Sequence, residues 1–272
     1  MERMRICAVD RNHLFCIHMV SLSAVIITFN EQRNIGRCID SLLAVADEIV
    51  VLDSLSTDQT ASICKQYPQV RFHTQPFLGH IAQKNAAVSL ANSDWVLSLD
   101  ADEELSPELI SSILKMKSDS QADGYSMNRL TSYCGKWIRH CGWYPDRKIR
   151  LFHRSKGRWS GVDPHDKYTL DSDARLSHLK GDILHYSYVE PSELRTQTEK
   201  FARIGGDALF KSGKGSKWVK MFFSPMFRFI RAYVLKLGFL DGRAGLIISW
   251  YSAKECFLKY DHLRRLVYNM KP

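Results

Sequence analysis

Three short apolar runs set the architecture: SAVIITFN (23–30), DEIVVLD (47–53) and DWVLSLD (94–100). Each is rich in Val, Ile or Leu, lacks strict alternation and stops at a polar or acidic residue. Runs of this kind are strands buried on both faces. Between them the apolar residues switch to helical spacing, as with Ile35, Ile39 and Leu42/Leu43. VRFHT (70–74) reads as a further strand and the Ala-rich GHIAQKNAAVSLA (79–91) as a helix. SLSTDQTASICKQY (54–67) reads as a helix with Ser56 as N-cap and Gln59 at the capping-box position. Alternating strands and helices make an α/β fold with a parallel sheet covered on both faces. Ligands of such sheets bind beyond the carboxyl ends of the strands. Asn30, Asp53 and Asp100 lie at those ends and are expected to meet in one crevice.

The sequence VLSLDADEELSP (96–107) places four carboxylates, Asp100, Asp102, Glu103 and Glu104, within five residues of a buried strand. Carboxylates packed this closely repel each other and resist desolvation. An Asp-x-Asp on a strand-to-loop turn can present oxygens to a hard divalent cation, which commonly takes one or two carboxylates plus substrate phosphates. The plainer reading is a solvated acidic turn, with Glu103 and Glu104 favouring a helix N-terminus. Ser106-Pro107 marks where that helix starts.

The 272 residues suffice for one large domain with an appendage, and no internal repeat is visible. The net charge of +9 is uneven: residues 1–130 carry a balance of −5 and residues 131–272 a balance of +14. The basic part calls for a polyanion, whether nucleic acid, an anionic membrane surface or a phosphorylated substrate. Seven cysteines, several among apolar helical positions, read as reduced thiols of a cytosolic protein. Cys134, His140 and Cys141 lack the companions that would complete a zinc site. The first 19 residues lack a signal-peptide pattern and are expected to be a loosely attached extension.

After residue 124 the pattern changes. GYSMNR (124–129) and RKIRLFHR (147–154) read as strands around a loop rich in Gly, Trp and His, and a helix follows Pro191. Two further helical segments occupy roughly 216–237 and 243–268. The expected domains are a catalytic part over 20–190, split at 123/124, and a helical part over 191–272.

Taken in order, ITFNEQRNIGRCIDSL, ADEIVVLDSLSTDQT, GHIAQKNAAVSLANSDWVLSLDADEEL, GWYPDRKIRLFHR and GRWSGVDPHDKY resemble a family 2 glycosyltransferase. The resemblance runs from about residue 22 to about 260. It implies the GT-A fold, a Rossmann-like and mostly parallel sheet that binds a nucleotide-diphosphate sugar. Within the family the chain looks closest to the branch that builds lipopolysaccharide core, β-1,4-glucosyltransferases included. The resemblance places Thr28, Asn30 and Glu31 on the nucleotide, Asp53 on the uracil imide and Lys84 on the diphosphate. Asp102 would be the direct metal ligand, and Asp100 would reach the ribose or the ion, which would be Mg²⁺ or Mn²⁺. VDPHDKY lies where the family keeps a His-acidic motif, which makes Asp166 the candidate base for an inverting transfer, with Asp163 as competitor. Many relatives have His-Glu there; this chain has His165-Asp166, a shorter arm. Trp143 and Tyr144 could stack on an acceptor sugar while Arg147, Arg150 and His165 hold its polar groups. Each residue also has a structural reading: Asp53 capping its turn, Lys84 solvated on its helix, Asp166 in a polar loop, the 147–154 strand with a snorkelling basic face.

From Lys217 to Leu237 the sequence KWVKMFFSPMFRFIRAYVLKL sets basic residues on one side of a helix and bulky apolar residues on the other. Ser224-Pro225 is expected to interrupt it and start a new helix. A basic amphipathic helix with large aromatics suits a membrane interface, and no run of about 18 uncharged apolar residues would span a bilayer. The expectation is therefore an inverting, metal-dependent transferase at the cytoplasmic membrane face, using a UDP-hexose and an anionic glycolipid acceptor, with no nucleic acid partner. Two alternatives stand beside it. A sugar-phosphate nucleotidyltransferase would need a Gly-rich loop after the first strand, where TFNEQRNIG has one glycine. A non-enzymatic basic protein binding RNA or a membrane would leave the acidic strand ends without a task.

Overall fold

The computed structural model of the protein describes residues 7–10, 13–16, 19–162, 165–213 and 218–269. Strands β1 (Cys7–Asp10) and β2 (His13–Cys16) pair as an antiparallel hairpin. Next come β3 (Leu22–Thr28), α1 (Ile35–Leu42), β4 (Glu48–Asp53), α2 (Thr60–Cys64), β5 (Val70–Thr74), α3 (His80–Ser89) and β6 (Trp95–Asp100). These are followed by β7 (Glu103–Leu105), α4 (Pro107–Ser118), β8 (Gly124–Tyr133), β9 (Lys136–Trp137) and β10 (Asp146–His153). Strands β11 (Gly157–Val162), β12 (His165–Leu170) and β13 (Leu176–Tyr188) complete the β structure. Helices α5 (Pro191–Lys211), α6 (Trp218–Ile230) and α7 (Gly242–Asn269) close the chain. Two compact units result: residues 1–129 with 147–185, and residues 130–146 with 186–272. The segment 130–146 thus belongs with the C-terminal helices rather than with the strands that flank it in sequence.

In the first unit the strand order is β5-β4-β3-β6-β10-β8-β13-β7. The parallel order expected from the sequence holds for β5, β4, β3 and β6. Beyond β6 the sheet turns antiparallel, β10 pairing β6 and β13 pairing β7. Strands β3, β4 and β6 bury both faces, which is why their sequences do not alternate, whereas β5 at the sheet edge is partly exposed. Ala24, Ile26, Val51, Leu97 and Leu99 face a core shared with α1 and α4 through Ile35, Ile39, Leu109 and Ile113. The intervening residues Val25, Val50, Leu52 and Val96 face a second core with Ala87 of α3, Phe152, Trp159 and Tyr168. In that second core Phe152 stacks on Tyr168 with ring centroids 3.5 Å apart.

Two local expectations change. Helix α2 starts at Thr60 instead of just after Ser56. The Ser56 hydroxyl donates to Asp53 and accepts from the Asn30 amide, so it is spent on tying two loops together. Asp58 takes over at the helix start, accepting from the Thr60 amide at 2.9 Å. Glu103 and Glu104 lie in strand β7, not on the first turn of a helix. Helix α4 begins at Pro107, as read, with the Ser106 hydroxyl accepting from the Leu109 amide.

The second unit is built on α5, α6 and α7. Glu190 and Glu193 form a reciprocal capping box at the start of α5. Tyr133, Ile138, Cys141, Leu194 and Ile248 make its small core. Helix α6 runs straight through Pro225, where the sequence suggested a break. The proline removes one backbone bond, to the Met221 carbonyl. Packing compensates: Met221 is the one residue of α6 that is buried, and Phe222 meets Phe257 of α7. The helix then loosens into a π turn over Arg231–Leu235 and ends at Leu237, which takes a left-handed conformation (φ 53°).

Gly181, inside β13, has φ 95°, and a Cβ there would lie 2.3 Å from the Leu109 amide nitrogen at the start of α4. Gly181→Ala combines left-handed strain with a clash against backbone, so it should destabilise the protein by about 2–4 kcal/mol, read as a lowered midpoint in denaturant unfolding.

Candidate active site

The carboxyl ends of β4, β3 and β6 stand side by side, with Thr28 in register with Asp53 and Ile27 with Asp100. Adjacent strands are about 4.8 Å apart, so Asp53 and Asp100 end on one edge of the sheet about 10 Å from each other. They leave it on opposite faces. Asp53 follows the alternation of Ile49 and Val51 toward the α1 and α4 side, and Asp100 follows Ser98 toward the α3 side.

On the α3 side an alternating chain of charges is buried. Lys84, 3% exposed, bonds Asp166 at 2.8 Å and Asp100 at 2.9 Å. Arg150, 2% exposed, bonds the other oxygen of Asp100 at 2.7 Å and Glu103 at 2.8 Å. Arg129 lies 3.6 Å from Glu103. The order Asp166, Lys84, Asp100, Arg150, Glu103, Arg129 places every charge between opposites. Burial pushes the Asp100 carboxyl up, but Arg150 and Lys84 outweigh it and hold the group well below the ordinary aspartate value. Burial works against the Arg150 charge, while Asp100 and Glu103 more than restore it, so its pKa is raised. Trp159 forms the floor: its ring lies 4.5 Å from the Lys84 ammonium and 5.5 Å from the Arg150 guanidinium. Asn85, next to Lys84 on α3, holds Trp159 in place by bonding both its backbone amide and its carbonyl.

Around Asp53 a second network ties the loops together. Asp53 accepts from the amide and hydroxyl of Ser56, and Ser56 in turn receives the Asn30 amide. The Asn30 side chain accepts from the Thr57 amide at 2.8 Å. The turn-capping reading of Asp53 is thus present in the geometry, and the carboxylate is 2% exposed. Glu31 bonds Asn34, and its carboxyl is raised by burial despite that bond, with Asp102 and Asp58 adding repulsion. Glu31 and Asp102 therefore sense each other's charge. Asp102 itself lies 3.1 Å from His185 Nε2.

Each of the four carboxylates of the acidic turn has a cationic or imidazole partner: Lys84 and Arg150 for Asp100, His185 for Asp102, Arg150 again for Glu103, and Arg37 at 3.6 Å for Glu104. A carboxylate and an imidazole at one point offer oxygen and nitrogen ligands to a divalent ion. Among the described residues no three His, Cys, Asp or Glu side chains form a complete cage. The donor set fits an ion that takes its remaining ligands from substrate phosphates. Several buried polar atoms also lack partners among the described residues: Thr28 Oγ1, Arg150 Nε and Nη1, and Trp159 Nε1. Orphans of this kind suit a polar ligand.

Arg150, grouped with the acceptor contacts on sequence, lies beneath Asp100, whereas Arg147 is exposed. Trp143 and Tyr144 belong to the second unit, where Trp143 packs beside Tyr188 and Tyr144 lies under Arg139. Asp163 and the side chain of His165 lie outside the described residues. Sequence reasoning missed His185, Arg129, Trp159 and the inward role of Glu103. His185 comes to Asp102 only because β13 pairs β7, with His185 opposite Glu103. No local spacing signals that pairing. A signal for Glu103 did exist: it is the first residue of an alternating triplet whose third member is Leu105.

Replacing Arg150 by Met takes the close cation from buried Glu103, leaving it Arg129 at 3.6 Å, and from one oxygen of half-buried Asp100. Arg150→Met should cost about 3–5 kcal/mol in denaturant unfolding. Because the folded Asp100 carboxyl is depressed, its stabilisation is complete above the ordinary aspartate range and disappears as pH falls through the depressed value. The variant should therefore begin acid unfolding at higher pH than the parent.

The family model described as "Glycosyl transferase family 2" matches residues 23–168. The uncharacterized glycosyltransferase RT0209 of Rickettsia typhi is 29% identical over 91% of this chain and 88% of its own length. The lipopolysaccharide core biosynthesis glycosyltransferase LpsC of Rhizobium meliloti is 28% identical over 90% of this chain and 94% of its own. Among solved structures, the mannosyltransferase PcManGT from Pyrobaculum calidifontis, in complex with GDP-Man and Mn²⁺, aligns over 99% of this chain and 92% of its own. Its TM-score is 0.52 at 14% identity. At that identity the likeness carries the fold, which is GT-A.

Proposed function

Since the chain belongs to glycosyl transferase family 2 and is a glycosyltransferase, we propose that it moves a hexosyl group from a UDP-linked donor to an anionic glycolipid of the lipopolysaccharide-core type, inverting the anomeric centre. The observation that carries this is the meeting of Lys84, Asp100 and Asp166, which come from three separate places in the chain, with Asp102 on the turn after Asp100 and paired with His185. The likeness to LpsC supports the acceptor class. The Gly-poor loop after β3 and the charge chain that links Asp100 to Asp166 speak against the nucleotidyltransferase and adaptor alternatives.

Asp102 and His185 would hold a divalent ion, Mg²⁺ or Mn²⁺, a reading that the Mn²⁺ complex of the structural relative supports. When bound, such an ion offsets the negative charge that grows on the departing diphosphate. Lys84 contributes to the same end, since an ammonium fixed beside the leaving oxygens stabilises charge that develops there. Asp100, kept ionised by Arg150 and Lys84, is placed to accept from a ribose hydroxyl or to approach the ion. Thr28, Asn30, Glu31 and Asp53 line the nucleotide end, where a carboxylate suits an imide N–H. Asp166 takes the proton from the acceptor hydroxyl as it attacks. Lys84 donates to its Oδ2, and Oδ1 has no donor among the described residues, which suits a base with one lone pair to offer. Trp143, Tyr144, Arg147 and His165 are assigned to the acceptor.

The enzyme would work at the cytoplasmic face of the membrane, attached through α6. Phe222, Phe223, Met226 and Phe227 are all more than half exposed. Packing on α7 through Met221 and Phe222 leaves these side chains largely open, which supports the attachment. No helix among the described residues is long and apolar enough to cross a bilayer.

Asp102→Asn should abolish transfer and weaken metal-dependent UDP binding, and retained full activity would refute its assignment. Asp166→Asn should lose turnover about 10²–10⁴-fold while binding donor normally in calorimetry with Mn²⁺ or Mg²⁺; lost donor binding would mean a structural role instead. Running the calorimetry across a panel of nucleotide sugars identifies the donor. Reversing the charge of Lys220, Arg228 and Arg231 should release the protein from anionic vesicles, and unchanged partitioning would dismiss the α6 attachment.

A further inference from the structure

The turn that joins α6 to α7 is more exposed than a soluble protein requires. Leu235, Leu237, Phe239 and Leu240 are 64%, 46%, 47% and 57% exposed, and Trp250 on the first turns of α7 is 62% exposed. The turn is nevertheless firmly built. Gly238 is pressed between the Ala232 carbonyl and Cys141, and Gly245 of α7 sits so close that a Cβ would lie 1.8 Å from the Gly238 carbonyl oxygen. Asp241 is 4% exposed; its carboxylate accepts from the His140 amide at 2.9 Å and faces His140 Nδ1 at 3.0 Å. Its carbonyl accepts from the Lys136 ammonium, and the Lys236 carbonyl accepts from the Cys141 amide. Apolar side chains held outward on a fixed scaffold mark an interaction surface.

The charges say which partner. Between Trp218 and Lys254 there are six Lys and Arg residues and one acid, Asp241. That acid is turned inward and spent on His140, and the next one along α7, Glu255, is half-buried near Arg228, so the exposed charges of this stretch are cations. A second copy docking through this face would set Lys220, Arg228, Arg231, Lys236 and Arg243 against their own counterparts, and like charges in juxtaposition are costly. An anionic bilayer meets both demands: headgroups for the cations and acyl chains for the leucines. We infer that the turn Leu235–Leu240 inserts as a wedge into an anionic lipid bilayer, with Trp250 at the headgroup level and the outer face of α6 lying along the surface. This rests on the membrane reading above and deepens it by naming a second inserting element, the turn after α6. Asp241 and His140 act as the clasp that keeps the wedge formed before it meets lipid.

The test uses the full chain and flotation with vesicles of phosphatidylcholine, with and without phosphatidylglycerol, at physiological salt. The parent is expected to float with the anionic vesicles and only weakly with the neutral ones. The variant Leu235→Ser/Phe239→Ser/Leu240→Ser changes exposed side chains only; it should keep its circular dichroism and nucleotide binding while its partitioning falls at least tenfold. A parent that floats and a variant that floats equally well would overturn the wedge and leave attachment through α6 standing. A parent that floats with neither vesicle would overturn the membrane reading along with the wedge. Concentration-dependent dimers in light scattering, abolished by the triple variant, would assign the face to a second copy and overturn the proposal.

Discussion

The structure depends on a buried line of alternating charges. Asp166, Lys84, Asp100, Arg150 and Glu103 come from α3, β6, β7, β10 and β12, and each bridges its neighbour within 3 Å. None of these side chains could be buried alone, because a desolvated charge without its partner costs several kcal/mol. Together they fix how β10 and β12 lie against the parallel strands. The same contacts set an ammonium and two carboxylates at the carboxyl end of the parallel strands, so what holds the unit in shape also provides the groups to which the proposed chemistry is assigned.

The strain of this arrangement shows in what remains unsatisfied. Arg150 uses one of its nitrogens on both carboxylates, and its Nε and Nη1 find no partner among the described residues. The Trp159 indole N–H and the Thr28 hydroxyl are in the same state. A protein selected for stability alone would fill such sites with hydrocarbon or pair them fully. Donors left unpaired beside these charges are consistent with the proposed ligand, a nucleoside diphosphate, which is rich in acceptors.

The second unit solves a different physical problem. Its helices present large apolar side chains to the outside and bury Asp241, the carboxylate of the turn between α6 and α7, under His140. Its surface is thereby suited to a boundary between water and something less polar. The division of charge along the chain, acidic early and basic late, follows this division of labour: cations compensate carboxylates inside the first unit and face outward on the second.

Much of this was written in the order of residues. The unalternating runs ending at Thr28, Asp53 and Asp100 determined the parallel strands, because a strand buried on both faces has no polar positions to spare. The capping pair Ser106-Pro107 determined where α4 starts, since that signal is local. The sequence could not say that Pro225 would be absorbed within α6, or that Ser56 would serve Asp53 and Asn30 instead of a helix, because in each case contacts from another segment outweighed a local preference worth about 1–3 kcal/mol. Nor could it bring His185 to Asp102 or Arg150 beneath Asp100. Those meetings are set by antiparallel pairings across 83 and 50 residues, and only the closed sheet, by choosing one strand order among many, decides which distant charges become neighbours.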